Sequence, residues 1–108
     1  MAVSDADIEG ARELFEGLGD LSTRKMFGGL GLYHDGTIFA VLLSDATLCL
    51  KATDDAMIAR LEGMGATQWR PTRPDGTPGT MPYWTLPDAA LDDPDLACDL
   101  ARDTLARL

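Results

Sequence analysis

The stretch Leu32-Tyr33-His34-Asp35-Gly36-Thr37-Ile38-Phe39-Ala40-Val41-Leu42-Leu43 decides the fold. His34-Asp35-Gly36 carries turn chemistry, because glycine tolerates the positive φ that a tight hairpin needs. Met26 to Tyr33 reads as a glycine-rich strand entering the turn, and Thr37 to Leu43 as the strand leaving it. Ser44-Asp45 is a second turn, and Thr47 to Lys51 a third strand, which together predict an antiparallel meander. In the middle strand Ile38, Ala40 and Leu42 alternate with Phe39, Val41 and Leu43, and both sets are apolar. A sheet with one wet face alternates apolar with polar, so both faces of this strand call for cover. A second copy of the chain is one way to supply it. The pattern predicts a homodimer through a sheet face or edge, since leaving Phe39, Val41 and Leu43 in water forgoes roughly 1.5–3 kcal/mol each.

Helical patterns lie on either side of the meander. Ser4 is a good N-cap and Asp5, Asp7 and Glu9 suit the positive end of a helix. Ile8, Ala11, Leu14, Phe15 and Leu18 then recur at helical spacing, with Gly17 and Gly19 as stop signals. Thr53 is expected to cap a second helix, with Asp54 and Asp55 in its first turn, Met57, Leu61 and Met64 along its buried edge, and Gly65 at its end. Thr67 to Arg70 reads as a short strand and Tyr83 to Leu86 as a fifth. The segment between them holds Pro71, Pro74, Gly76, Pro78 and Gly79, the composition of a loop or wide hairpin end. Asp93-Pro94 combines an N-cap with proline at the first helical position. Leu96, Leu100, Leu105 and Leu108 give this last helix an apolar side. Helices that interrupt an antiparallel sheet define the α+β class.

A chain of 108 residues fits one domain, residues 1–108, built on one core. No apolar run approaches the ~20 residues of a membrane span, and the acidic, polar start is no secretory signal. Both features place the protein in the cytoplasm. Cys49 and Cys98 stand far apart and read as two buried thiols of a reducing compartment. Nine basic residues against eighteen acidic ones leave a net charge of −9, which works against neutralising phosphates. Direct nucleic-acid binding is therefore disfavoured, although Arg24, Lys25, Lys51, Arg70 and Arg73 cluster in the middle of the chain.

No motif supplies catalytic or metal chemistry. Gly29-Leu30-Gly31 has His34 where a dinucleotide fingerprint needs its third glycine, and a strand follows where a helix should. A glycine in a strand marks close approach by another group, and the rings of Phe27 and Tyr33 share a face with Gly29 and Gly31. His34 beside Asp35 lacks a nucleophile elbow, and one histidine with two isolated cysteines makes no metal set. Asp92, Asp93, Asp95, Asp99 and Asp103 read as a solvated helix face. Trp69, Tyr83 and Trp84 flank the proline-rich loop beside Arg70 and Arg73. Together these aromatics and Arg70 are a candidate groove for a peptide, a base or a small ligand.

At Arg24-Lys25-Met26-Phe27-Gly28-Gly29-Leu30-Gly31-Leu32-Tyr33-His34-Asp35-Gly36, continuing to Phe39-Ala40, the sequence resembles the TfoX amino-terminal domain family, named for bacterial regulators of natural competence. Leu48-x-Leu50-Lys51, Pro82-Tyr83-Trp84 leading to Leu86-Pro87, and Leu91-Asp92-Asp93 extend the likeness along essentially the whole chain. Arg24, Met26, Phe27, Gly28, Gly29, Gly31, Tyr33, Gly36, Phe39 and Lys51 form the signature and are expected to be mostly structural. The resemblance implies a stand-alone domain with the order α-β-β-β-α-β-β-α in two layers, like type III secretion chaperones. It also implies a non-enzymatic regulatory or adaptor role through protein contacts, with no cofactor and no metal. Two alternatives stand beside it. One is a small-ligand or enzymatic site at Trp69, Arg70, Tyr83 and Trp84; the other is nucleic-acid binding through the five central basic residues.

Overall fold

Ser4 starts the first helix through a reciprocal cap. Its hydroxyl accepts from the Asp7 amide at 3.1 Å, and the Asp7 carboxylate accepts from the Ser4 amide at 3.2 Å. The computed structural model describes residues 3–26 and 28–108, and from Ser4 the chain runs into α1, Asp5–Phe15. A short 3₁₀ turn, Glu16–Leu18, follows, and Gly19 at φ 70° ends it. Four strands come next: β1 Leu21–Met26, β2 Gly29–His34, β3 Thr37–Leu42 and β4 Leu48–Lys51. The chain then forms α2, Asp55–Gly63, the three-residue β5, Tyr83–Thr85, and α3, Pro94–Ala106. Every neighbouring pair is antiparallel, and the strands lie side by side in chain order.

The α+β class and the total of five strands stand as read from the sequence, but two strands change place. The meander has four strands rather than three, because β1 precedes the glycines instead of containing them. Ser22, Arg24 and Lys25 are exposed on this edge strand, so it lacks the apolar alternation by which strands are recognised. The segment Thr67 to Arg70 is not a strand. It touches β5 through one bridge pair, Gln68 with Trp84, flanked by Thr85 N–H to Thr67 O and Trp69 N–H to Tyr83 O, both 2.9 Å. Pro71, Pro82 and Pro87 bracket both segments, and a residue without an N–H cannot extend a ladder.

The β2–β3 turn behaves as expected. Asp35 and Gly36 both have positive φ, 48° and 81°, between the paired residues His34 and Thr37. That is the two-residue turn whose twist matches a hairpin. Beyond it the register slips. Leu32 faces Ala40 but Tyr33 faces Ile38, so Phe39 is the extra residue of a bulge. Phe39 therefore joins Ala40 and Leu42 on the helical side, leaving Ile38, Val41 and Leu43 on the other. Strict alternation had put Phe39 on the outer face, and the bulge overturns that assignment.

Phe15, Leu32, Phe39, Leu50, Met57, Leu61 and Leu100 fill the layer between sheet and helices. Asp54, rather than Thr53, caps α2, its carboxylate accepting from Met57 N–H at 3.1 Å. Asp93 caps α3 with Pro94 at the first helical position. Leu108 lies past the end of that helix and is half exposed, so it adds nothing to the apolar side. Arg60 holds α2 against α3 by bonding Asp103 at 2.7 Å and Asp99 at 2.9 Å, and Arg107 reaches both Asp103 and Asp54. The Thr104 hydroxyl donates to the Lys51 carbonyl and pins α3 to β4. Both cysteines are buried thiols.

Candidate functional site

Among the described residues all three helices pack on one face of the sheet, and loops are left to cover the opposite face. Strand register places Arg24 and Met26, then Gly29, Gly31 and Tyr33, then Ile38 and Val41, then Cys49, and finally Tyr83 on this outer face. Val41, Cys49 and Tyr83 are nevertheless buried, because Trp69 packs across them. The Trp69 and Tyr83 rings meet edge to face, centroids 6.3 Å apart. Backbone bonds set this contact: Trp69 N–H to Tyr83 O and Met81 N–H to Trp69 O at 3.2 Å, with the Gln68 amide donating to Met81 O at 3.0 Å.

Between Trp69, Met81 and the ends of β2 and β3 a half-open groove of about 270 Å³ is left. Its walls are Met26, Val41, Leu43, Trp69, Met81 and Tyr83, with Gly29 at its base and Ser44 and Asp45 at one end. Met81 is 37% exposed. Gly31 makes room for this arrangement. A Cβ there would come within 2.7 Å of Met26 Cε, 3.1 Å of Tyr33 Cε1 and 3.3 Å of Ile38 Cδ1. Tyr33 thus covers the glycine, as expected, while Phe27 lies outside the described residues. Gly29 is tighter still, because a Cβ would run into the Leu42 carbonyl oxygen.

Asp45 accepts from Thr47 N–H at 3.0 Å, and its bonds to Thr47 hold its carboxyl below the ordinary carboxylate range. Burial pushes the Cys49 thiol up to about 12, and the Asp45 charge adds to the effect.

The aromatic group expected as a groove is split by the sheet. Trp69 and Tyr83 do line it, but Trp84 points the other way, into the helical core, where its indole N–H donates to Glu62 at 3.0 Å. Arg70 is exposed and lines nothing in the groove. Alternation along β5 separates Tyr83 from Trp84, since neighbours in a strand face opposite ways. Met26, Leu43, Asp45 and Met81 were missed. Met26 sits opposite Gly29, a signal of side chain over glycine, whereas Met81 lies in an irregular loop that no periodicity marks.

Other sequence candidates have structural positions. Arg24 lies 5.9 Å from the Tyr33 ring centroid, Gly28 has φ 76°, Gly36 forms the hairpin turn, and Lys51 ends β4. His34 Nδ1 is 2.9 Å from the Gly19 carbonyl, tying β2 to the turn before β1. Among the described residues no three His, Cys, Asp or Glu side chains converge as metal ligands would. No described helix is long and apolar enough to cross a membrane.

The five central basic residues are not gathered. Arg24 and Lys25 lie on one edge strand, Lys51 ends β4, and Arg70 and Arg73 belong to the loop beside the opposite edge. None of them has an ion-pair partner among the described residues. Charge is instead divided by layer. Asp20, Asp35, Asp45 and Asp75 lie in the turns and loop of the sheet layer, and every other acidic residue lies on a helical segment or at its end.

The TfoX N-terminal domain model matches residues 13–108. This chain belongs to the TfoX N-terminal domain family. No curated protein matches it. Membership gives the TfoX N-terminal domain signature a location: Arg24, Met26, Gly29, Gly31 and Tyr33 converge on the outer face beside the groove, whereas Phe39 is core.

Proposed function

We propose that this TfoX N-terminal domain is a non-enzymatic regulatory module of the bacterial cytoplasm. It docks a protein partner on the outer face of its sheet, in the competence-related regulation for which the family is named. The groove of Met26, Leu43, Trp69, Met81 and Tyr83 is the observation that carries this reading. Methionine is flexible and polarisable, so two methionines beside two aromatic rings form a surface that adapts to another side chain. A half-open concave recess lined mostly by apolar and aromatic side chains is also the usual form of a binding site.

The test compares wild type with Met81→Asp in capture from the parent cell. Met81 is exposed, so the substitution leaves the fold intact by circular dichroism. Proteins retained by wild type and lost with Met81→Asp support docking at this face. Equal capture by both, or a saturable thermal shift with a metabolite in place of capture, refutes it.

A further inference from the structure

Among the described residues Asp45 is the single charged one in the wall of the groove; the rest are apolar, aromatic, glycine or serine. No lysine or arginine among the described residues forms an ion pair with it. Its bond from the Thr47 amide fixes it in the β3–β4 turn. The groove thus sets a fixed negative charge beside a recess lined by Trp69 and Tyr83. A carboxylate attracts a cation and repels an anion.

Size narrows the occupant. Pockets for small molecules span about 300–1,000 Å³. At about 270 Å³ and half open, this groove lies at the small end of that range, with room for one large side chain and its neighbour. We infer that the groove takes a peptide segment of a partner protein, seating a large apolar side chain between Met26, Trp69 and Met81 and an adjacent lysine or arginine on Asp45. This rests on the protein-docking reading and adds a charge rule to it.

The probes are three capped peptides, acetyl-Leu-Phe-Arg-amide and its Gln and Glu counterparts, titrated into the ¹⁵N-labelled domain at millimolar concentration. The expected result is perturbation of the Trp69 indole, Ser44, Asp45 and Met81, with affinity falling from Arg to Gln to Glu. The Arg peptide should bind about fivefold more tightly than the Gln peptide, a ratio that Asp45→Asn removes. Asparagine still accepts the Thr47 amide bond, so this variant keeps the turn. Equal binding by all three peptides overturns the charge rule and leaves the docking reading standing. Perturbation outside the groove, or none, overturns the inference, while docking is judged separately by Met81→Asp. Phenethylamine binding as tightly as the Arg peptide would assign the groove to small amines. Shifts at the same residues on concentrating the free protein would assign it to a second copy. Either result also overturns the proposal.

Discussion

The rings of Phe15 and Phe39 meet edge to face, 5.2 Å between centroids and 83° between planes, joining the last residue of α1 to the bulge of β3. Both residues are fully buried. Truncating either removes a ring and leaves a cavity, so Phe39→Ala is expected to destabilise by about 3–5 kcal/mol in urea unfolding. Phe39→Asp should abolish folding rather than shift any association equilibrium. A stable, folded Phe39→Asp domain would show that the bulge is misplaced.

Gly29 and Gly31 predict different responses to the same added methyl group. At Gly31 the obstruction is the far end of the Met26 side chain, which can swing aside, so Gly31→Ala is expected to cost about 1 kcal/mol. At Gly29 it is the Leu42 carbonyl, held in the ladder, and Gly29→Ala should cost about 3 kcal/mol. Chemical denaturation of the two variants side by side checks the order.

How far the sequence reaches can be judged from particular residues. Local chemistry was legible: Ser4, Asp93-Pro94 and Asp35-Gly36 each need only their neighbours to act, and each is found as read. Long-range choices were not. Nothing beside Phe39 says that β3 will slip by one residue, and the ring that Phe39 meets, Phe15, lies on another element. Trp69 was legible as an aromatic near a loop, but its partner Met81 is brought to it by backbone bonds between irregular segments. Trp84 flanks the proline-rich loop as Trp69 and Tyr83 do, but alternation along β5 sends it to Glu62 instead.

The thiols offer a third prediction. Cys49 is buried and its thiol is pushed up to about 12, so the reactive thiolate is scarce at neutral pH. Cys98 is buried too, with its sulfur 3.6 Å from the Leu14 carbonyl. Neither should react with a disulfide reagent in the native domain, and both should react at once in denaturant. Rapid native labelling of Cys49 would mean that the Trp69 cover opens readily.

The fourth concerns acid. Arg107 and Arg60 both bond Asp103 and hold its carboxyl below the ordinary range. A carboxyl lowered in the folded state adds stability above its unfolded value, and that stability is lost as pH falls through the folded value. Stability should therefore decline as pH drops below about 4. Asp103→Asn should decline less over the same window, and added salt should narrow the gap between the two. Urea midpoints measured from neutral to acid pH decide this; parallel curves would refute it.

The division of charge by layer has a mechanical consequence. With Arg24, Lys25, Lys51, Arg70 and Arg73 in the sheet layer and most carboxylates in the helical one, the molecule is polar along the line from helices to sheet. In the field of a larger acidic partner it experiences a torque as well as a force. The helices swing away and the sheet swings forward before any contact forms. A domain repelled by such a partner on net charge would still arrive facing it with Trp69 and Met81.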